Sequence, residues 1–259
     1  MKVVILCGGL GTRLREETEF MPKPMVEIGG RPILWHIMKI YANYGFTDFV
    51  LCLGYKGDII RDYFYNYEIR NCDGTITLGS RNLEIHNNHT ESGWRVTLAE
   101  TGERTLTGGR LKRVARYLDG DQFMVTYGDG VADLDIKTLL AYHKSHRKLG
   151  TVTAVHPSSR FGELSIEKGL VQVFQEKPQV KEGWINGGFF VFQREALDLI
   201  AGDEESLEQG LLVKLANNKE LAVYQHSGFW QCMDTHREME LLNDLLRSNN
   251  APWAKWKTG

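Results

Sequence analysis

The chain begins with an apolar run, Val3 to Cys7, that stops at the glycine-rich segment Gly8 to Gly11. A continuous apolar run without polar alternation is typical of a strand buried on both faces, as in a parallel sheet. Comparable runs lie at Phe49 to Leu53, Phe123 to Tyr127 and Thr151 to Val155. The sequence therefore predicts several buried strands, and such strands need helices to cover them.

Segments with helical spacing lie between these runs. Pro32 to Tyr44 places apolar residues on one face, with Gly45 as a natural stop, and Lys56 to Tyr65 predicts a second helix. Asp135 is a suitable N-cap for a helix that ends near Gly150. This alternation predicts an α/β protein with a doubly wound, mostly parallel sheet flanked by helices.

The rest of the chain is less regular. Residues 66 to 109 are polar with short alternating pieces such as Arg95 to Leu98, which we interpret as an insertion with a small β element. Further strands are predicted at Val171 to Gln175 and Phe189 to Phe192, and a helix from Asp234 onward. Without an obvious linker, we expect a single domain over 1–259, with a core of about 1–155, the insertion at about 66–109, and a second part at about 156–259.

The composition excludes several classes of protein. The net charge is -2, which argues against a nucleic-acid partner, and no apolar run is long enough to cross a membrane. The four cysteines form no CxxC pair, which favours free thiols in a reducing cytosol and predicts a cytoplasmic protein.

The segment Gly8 to Leu14 follows the first predicted strand. Glycine lets backbone approach a polyphosphate, successive N–H groups can bind an anion, and ligands of such sheets lie at the carboxyl ends of strands. A dinucleotide fingerprint would need glycine where Leu14 stands, and a Walker A loop needs a Gly-Lys-Ser/Thr sequence that the chain lacks. A glycine turn without a ligand remains the alternative.

A second signal is Lys23, which lies between Pro22 and Pro24. Two prolines hold the backbone stiff and extended, which suits a charge that must be aimed. The alternative is a rigid exposed loop with an incidental lysine.

Taken together, these motifs resemble the signature of the sugar nucleotidyltransferases, which join an NTP to a sugar 1-phosphate. The resemblance covers most of the chain and includes the segments Gly8 to Leu14, Pro22 to Met25, Gly128 to Gly130, Phe174 to Pro178, Asn186 to Phe190 and Trp230 to Thr235. It implies a Rossmann-like sheet with a small β insertion and sugar-binding extensions.

The resemblance also implies roles for individual residues. Arg13, Lys23 and Asp129 would be catalytic, with Arg13 on the departing pyrophosphate, and Asp129 and Asp234 would hold one Mg²⁺, a cation that takes few protein oxygens. An isolated Asp-Gly is otherwise read as a turn. The nucleotide would contact Leu6, Gly8, Gly9, Leu10, Gly11, Thr12, Arg13, Lys23, Thr105, Gly108, Gly109, Arg110 and Gly128. The sugar phosphate would contact Tyr127, Glu176, Lys177, Asn186 and Gly188.

The choice of nucleotide depends on the segment Thr107 to Val114, which resembles that of the glucose-1-phosphate cytidylyltransferases. It implies CTP and glucose 1-phosphate as substrates, with Arg110 donating to cytosine or phosphate. The alternative is that the basic residues of this segment form a solvated helix face, which we favour for Lys112, Arg113 and Arg116. One departure is Gly210, where these enzymes have a Glu-Pro-Leu type sequence, so another acceptor or another NTP stays open.

The catalytic residues also bear on whether the chain is an enzyme at all. A nucleotide-sugar sensor on a dead catalytic fold should have lost Arg13, Lys23, Asp129 or Asp234, and all four are present. The resemblance implies a homo-oligomer that serves surface-polysaccharide or deoxysugar synthesis.

Two pairs of residues outside these motifs are ambiguous. His143 and His146 could bind metal, although a solvated helix surface is favoured. Trp253 and Trp256 form either a partner surface or the packing of the chain end.

Overall fold

The structure is a computed structural model that describes residues 1–9, 11, 14–80, 82–157, 163–167, 170–175 and 183–257. Its strands are β1 (Val3–Leu6), β2 (Glu27–Ile28), β3 (Arg31–Pro32), β4 (Asp48–Leu53), β5 (Gly74–Thr77), β6 (Asn82–Ile85), β7 (Arg95–Glu100), β8 (Gln122–Tyr127), β9 (Gly130–Ala132), β10 (Gly150–Val155), β11 (Glu163–Glu167), β12 (Leu170–Gln175), β13 (Ile185–Gln193), β14 (Leu221–His226) and β15 (Trp230–Cys232). Its α-helices are α1 (Arg15–Thr18), α2 (Ile33–Ala42), α3 (Gly57–Tyr65), α4 (Tyr67–Asn71), α5 (Thr107–Val114), α6 (Ile136–His146), α7 (Leu212–Asn217) and α8 (His236–Arg247). Shorter turns are the 3₁₀ segments Lys23–Met25, Ala115–Tyr117, Arg194–Leu199 and Lys255–Lys257 and the π-helical Leu207–Leu211.

Within the described residues, seven strands form the central sheet, in the order β14-β10-β13-β8-β1-β4-β7. The pairs β1–β4, β1–β8, β4–β7 and β10–β14 are parallel, while β13 runs antiparallel to both β8 and β10. The four predicted apolar runs are β1, β4, β8 and β10. The predicted α/β fold with a mostly parallel sheet flanked by helices is therefore confirmed.

The sheet is covered on both faces, as its apolar strands require. Along β1, Val3 and Ile5 belong to one buried cluster, and Val4 and Leu6 belong to another on the opposite face. The parallel register pairs Leu6 with Cys52 of β4 and with Tyr127 of β8. The carboxyl ends of three neighbouring strands therefore meet at one edge of the sheet.

One predicted strand lies elsewhere than expected. Arg95–Glu100 does not belong to the small β element but forms β7, the edge strand of the central sheet beside β4. Its alternating pattern fits an edge strand that is only partly covered, whereas the small β element is the hairpin of β5 and β6. The division of the chain into core, insertion and second part stays a prediction.

The helix boundaries follow local signals. After α2, Gly45 has a φ of 88° and the Phe46 N–H donates to the Tyr41 carbonyl over 3.2 Å. Asp135 caps α6 by accepting from the Thr138 N–H at 2.9 Å, as predicted. The helix ends at His146 rather than near Gly150, because Arg147 adopts a left-handed φ of 58° and Gly150 already begins β10.

Two ambiguities of the sequence are resolved by packing. His143 does not lie on a solvated helix surface: it is completely buried, and Nδ1 lies 2.8 Å from the Thr151 hydroxyl. Trp253 is buried and stacks on Phe229, so it packs the chain end onto the core. All four cysteines are free. None of the described helices has the length and apolar character needed to span a membrane.

Candidate active site

A cleft of about 920 Å³ opens at the carboxyl ends of β1 and β8. Its wall contains Glu103, Arg104 and Ser206 in addition to residues that the sequence predicted. The predicted residues that line it are Leu6, Gly8, Gly9, Gly11, Lys23, Thr105, Arg110, Tyr127, Gly128, Asp129 and Asp234.

A smaller cavity of about 260 Å³ adjoins the cleft. Asn186 and Gly188, which the sequence assigned to the sugar side, lie in its wall together with Trp230, and the Trp230 indole N–H donates to the Gly187 carbonyl over 2.7 Å. The large cleft and the small cavity share the residues Tyr127, Asp129 and Asp234. The two carboxylates therefore lie at the junction of two compartments of unequal size.

Lys23 lies at this junction. Its Nζ is 2.6 Å from Oδ2 of Asp129 and 2.5 Å from Oδ1 of Asp234. The 3₁₀ turn Lys23–Met25 follows Pro22, and Lys23 is buried there rather than solvated. Burial opposes its charge, but the carboxylates of Asp129 and Asp234 more than offset this effect and raise the pKa of Lys23. The Lys23 ammonium is therefore held in a defined position by the two carboxylates and is not an incidental charge on an exposed loop.

Two segments that lie far apart in the chain bring the carboxylates together. Asp129 follows β8, and the antiparallel pair β9–β15 places Cys232 opposite Gly130. The Met233 N–H donates to the Asp129 carbonyl at 2.8 Å, and the Asp234 N–H donates to Oε2 of Glu238 at 2.7 Å. The strand pair and the first turn of α8 together hold Asp234 facing Asp129.

The donor set suits a hard divalent cation. Both carboxylates already share one cation, the Lys23 ammonium, so the space between them can accept positive charge. Carboxylate oxygens are the protein ligands that Mg²⁺ prefers, and Mg²⁺ needs only one or two of them when phosphates complete its coordination. Asp129 and Asp234 therefore fit the metal-binding role that the resemblance implies.

Arg110 is a buried anchor beneath the glycine-rich segment. Its guanidinium donates to the carbonyls of Gly8 at 3.0 Å, Leu53 at 3.0 Å and Glu103 at 3.2 Å, and to the Thr101 hydroxyl at 2.8 Å. Burial lowers the pKa of Arg110. A Cβ at Gly8 would overlap Nη1 of Arg110, so this glycine is needed for the guanidinium to pass. The nearby basic residues Lys112, Arg113 and Arg116 are exposed, which agrees with their interpretation as a solvated face.

Gly108 and Gly109 are outside the cleft lining, although the sequence assigned them to the nucleotide. A Cβ on Gly108 would lie 2.7 Å from the Glu205 carbonyl oxygen, and one on Gly109 would lie 2.6 Å from the Asp203 Cα. These glycines let α5 approach the backbone of residues 203–205, and the Gly109 N–H donates to the Glu205 carbonyl at 3.0 Å. Their contact with a nucleotide stays a prediction.

Glu208 is a site residue that sequence reasoning missed. Its Oε1 accepts from the Tyr127 hydroxyl at 2.5 Å, and its Oε2 accepts from the Thr107 hydroxyl at 2.9 Å. The Asn186 amide donates to the same Tyr127 oxygen at 3.3 Å. Burial, followed by the Glu208 carboxylate, raises the pKa of Tyr127.

A local irregularity presents Glu208 to the cleft. The turn Leu207–Leu211 is π-helical, and such turns are frequent at functional sites. Gly210 lies in it, where a Cβ would overlap the side chain of Glu205. In the sequence, Gly210 marked this segment as different from that of the glucose-1-phosphate cytidylyltransferases. Nothing in the sequence indicated that the nearby Glu208 would contact Tyr127.

Five of the predicted site residues lie outside the described residues. They are Leu10, Thr12 and Arg13 of the glycine-rich segment, and Glu176 and Lys177 of the sugar side. Gly188 does belong to the described part, with a φ of 79° and only 2.6 Å between its ideal Cβ position and Cδ2 of Tyr127. Glycine is thus required where β13 passes Tyr127.

The sequence pattern of the nucleotidyl transferase family matches residues 2–237. The chain belongs to the nucleotidyl transferase family. It is 52% identical to a glucose-1-phosphate cytidylyltransferase of Salmonella typhi over 99% of this chain and 100% of that protein. It is 42% identical to a probable glucose-1-phosphate cytidylyltransferase of Bacillus subtilis, again over 99% and 100%.

A solved structure agrees on the fold. HddC from Yersinia pseudotuberculosis superposes with a TM-score of 0.69 at 24% identity, over 95% of this chain and 99% of that one. At this identity the likeness shows a shared fold alone. Members of the family typically use a divalent metal ion, which agrees with the paired carboxylates of Asp129 and Asp234.

Proposed function

We propose that this chain is a glucose-1-phosphate cytidylyltransferase that converts CTP and α-D-glucose 1-phosphate into CDP-glucose and pyrophosphate. The observation that carries the proposal is the cluster of Lys23, Asp129 and Asp234 at the junction of a large cleft and a small cavity. In this proposal the nucleoside triphosphate occupies the large cleft and the hexose phosphate the small cavity, so their phosphates would meet at this cluster. The two cytidylyltransferase relatives match over their full length and support this pair of substrates.

The reaction needs no strong base. The second pKa of a phosphate monoester is about 6, so glucose 1-phosphate is mostly a dianion at neutral pH. One of its oxygens attacks the α-phosphorus of CTP, a new P–O bond forms, and the bond from the α-phosphorus to the α,β-bridging oxygen breaks. The electron pair leaves with that oxygen as pyrophosphate. Catalysis then consists of alignment and of charge neutralisation.

Different residues of the chain would align the substrates and neutralise their charge. Lys23 would turn its ammonium from the carboxylates toward the reacting phosphates, and the N–H groups of Gly8 and Gly9 would face the polyphosphate. Asp129 and Asp234 would hold Mg²⁺, which supplies positive charge to the phosphates. Tyr127, held by Glu208 and Asn186, would form the wall between the two substrates. Arg13, Glu176 and Lys177 keep the roles that the resemblance implies, as predictions.

The test is pyrophosphate release from purified protein with Mg²⁺, using glucose 1-phosphate and each of CTP, UTP, dTTP, ATP and GTP. We expect release with CTP and the loss of release when EDTA is added, with recovery on excess Mg²⁺. Release with another nucleotide would keep the reaction class and contradict the choice of CTP. Release only with a different sugar or polyol phosphate would contradict the acceptor.

A protein that binds CDP-glucose but releases no pyrophosphate with any pair would be a sensor rather than an enzyme. Calorimetry with CDP-glucose on the same preparation distinguishes this outcome from unfolded protein. A cytoplasmic location, assembly into a homo-oligomer and service to polysaccharide or deoxysugar synthesis belong to the same proposal.

A further inference from the structure

A second group of metal-ligating side chains lies outside the active site, in the segment between α4 and β7. It consists of Glu68, Cys72 and His89, and one ligand atom from each lies within 4.8 Å of the others. Glu68 belongs to α4, and Cys72 caps the end of this helix, where its N–H donates to the Glu68 carbonyl at 2.9 Å. His89 reaches them from beyond the β5–β6 hairpin.

We propose that Glu68, Cys72 and His89 form a zinc-binding site. A thiolate, an imidazole and a carboxylate are the ligand types that Zn²⁺ takes, and a sulfur ligand distinguishes the site from the oxygen-only pair at Asp129 and Asp234. Around tetrahedral Zn²⁺ the ligand atoms would lie about 3.3–3.7 Å from one another. Glu68 and His89, now 2.9 Å apart, would separate slightly, and all the ligand atoms already lie within 4.8 Å. Glu68 is exposed, so solvent can supply the fourth ligand.

The imidazole of His89 is already oriented for this role. Its Nε2 faces Oε2 of Glu68 at 2.9 Å, and the ring of Tyr67 packs edge-on against it with centroids 5.0 Å apart. Its Nδ1 accepts the Glu91 N–H at 3.1 Å and lies 3.4 Å from Oε2 of Glu91. In this arrangement the ring proton lies on Nε2 and faces Glu68. Metal binding at Nε2 would shift the proton to Nδ1, where Oε2 of Glu91 would accept it in place of the contact with the Glu91 N–H.

Glu91 is a suitable support because it is itself fixed. It is buried, and its Oε1 accepts from Lys39 at 3.0 Å and from the Thr90 hydroxyl at 2.7 Å. A buried carboxylate behind a histidine is the arrangement that orients metal-bound imidazoles.

A bound cation would also have a structural effect. It would tie α4 to the residues that follow the exposed β5–β6 hairpin, and so reduce the freedom of the hairpin.

The experiment measures alkylation of each cysteine by mass spectrometry, with and without micromolar Zn²⁺, in excess Mg²⁺ to occupy the active-site carboxylates. We expect Zn²⁺ to slow alkylation of Cys72 by about tenfold or more, because metal binding consumes the thiolate. Cys232, whose Sγ lies 3.8 Å from Oδ2 of Asp234, reports any zinc at the active site, so its alkylation is followed separately. An unchanged rate at Cys72 in the wild-type protein would overturn the proposal.

Variants separate a built site from a single thiol that binds zinc. His89→Gln and Glu68→Gln should each abolish or strongly weaken the protection of Cys72, whereas His86→Gln, a matched change at an exposed histidine of the same hairpin, should keep it. Protection that survives both ligand changes would refute the three-residue site. As an independent readout, Zn²⁺ should slow hydrogen exchange in β5 and β6 of the wild type and not of Cys72→Ser, and pyrophosphate release should stay unaltered in all these variants.

Discussion

Replacing Arg110 with lysine tests how the nucleotide cleft is built. The guanidinium makes four hydrogen bonds, to the carbonyls of Gly8, Leu53 and Glu103 and to the Thr101 hydroxyl. A single ammonium nitrogen cannot reach this spread of acceptors as the planar fork does. If two acceptors lose their donor at about 1–2 kcal/mol each, Arg110→Lys lowers the free energy of unfolding by about 2–4 kcal/mol.

The matched control is Arg113→Lys, on the exposed face of the same helix. Arg113 forms a bidentate ion pair with Asp203, at 2.8 Å and 2.5 Å, and both side chains are exposed to solvent. We expect this change to lower the free energy of unfolding much less than Arg110→Lys does, because exposed ion pairs contribute little to stability. Urea unfolding gives both values, and steady-state kinetics on the same proteins give the KM for CTP and for glucose 1-phosphate.

Structural support of Gly8 and direct contact with the nucleotide are two different roles for Arg110, and they predict different outcomes. An anchor that acts through Gly8 should lower stability and raise the KM for CTP, and leave the KM for glucose 1-phosphate nearly unchanged. Wild-type stability with a strongly raised KM for CTP would show that the guanidinium contacts the nucleotide directly. Wild-type values of both quantities would refute the reasoning altogether.

Further predictions concern the carboxylates, the wall between the substrates and acid stability. Asp129→Asn should lower kcat by about a hundredfold or more, because an amide oxygen binds Mg²⁺ weakly. The fold should be retained, since the amide oxygen still accepts a hydrogen bond from Lys23. Near-normal turnover at saturating Mg²⁺ would contradict the metal assignment. Glu208→Ala should raise the KM for glucose 1-phosphate by up to about tenfold through the loss of the hydrogen bond from Tyr127, with Gln209→Ala as the unchanged control. Burial lowers the pKa of His143 to about 4 from 6.5, so the unfolded chain binds a proton first as the pH falls. Stability should therefore drop by about 3 kcal/mol between pH 6.5 and 4, and His143→Gln should flatten this dependence in urea titrations at several pH values.

The sequence predicted the strands of the core better than the edges of the sheet. The runs at Val3 and Phe49 are apolar throughout because β1 and β4 are buried on both faces, and a short run of this kind that ends at glycine is typical of such a strand. Arg95 to Leu98 alternates instead, a pattern shared by edge strands and by exposed hairpins. Only long-range pairing with β4 decides between them.

Within the site, residues with one local role were predictable and residues with long-range partners were not. Asp129 follows a buried strand, and its place at the edge of the sheet comes from that strand alone. Glu208 and Tyr127 are 81 positions apart in the chain, and no sequence motif indicates that they form a hydrogen bond. Arg110 was assigned to the cleft, but its burial beneath Gly8 depends on the packing of α5 against β1 and β4.

The balance of charge at the junction favours the binding of a divalent cation there. Asp129 and Asp234 bring two negative charges to the place where a triphosphate and a sugar phosphate must meet, and Lys23 offsets only one of them. Without a further cation, both substrates would be repelled by the residues that are meant to align them. A divalent cation held by these carboxylates would change the sign of the site and would let Lys23 turn toward the phosphates. The nucleotide and the metal should accordingly bind with mutual reinforcement, so that CTP affinity falls sharply when Mg²⁺ is removed from the wild type and falls much less in Asp234→Asn.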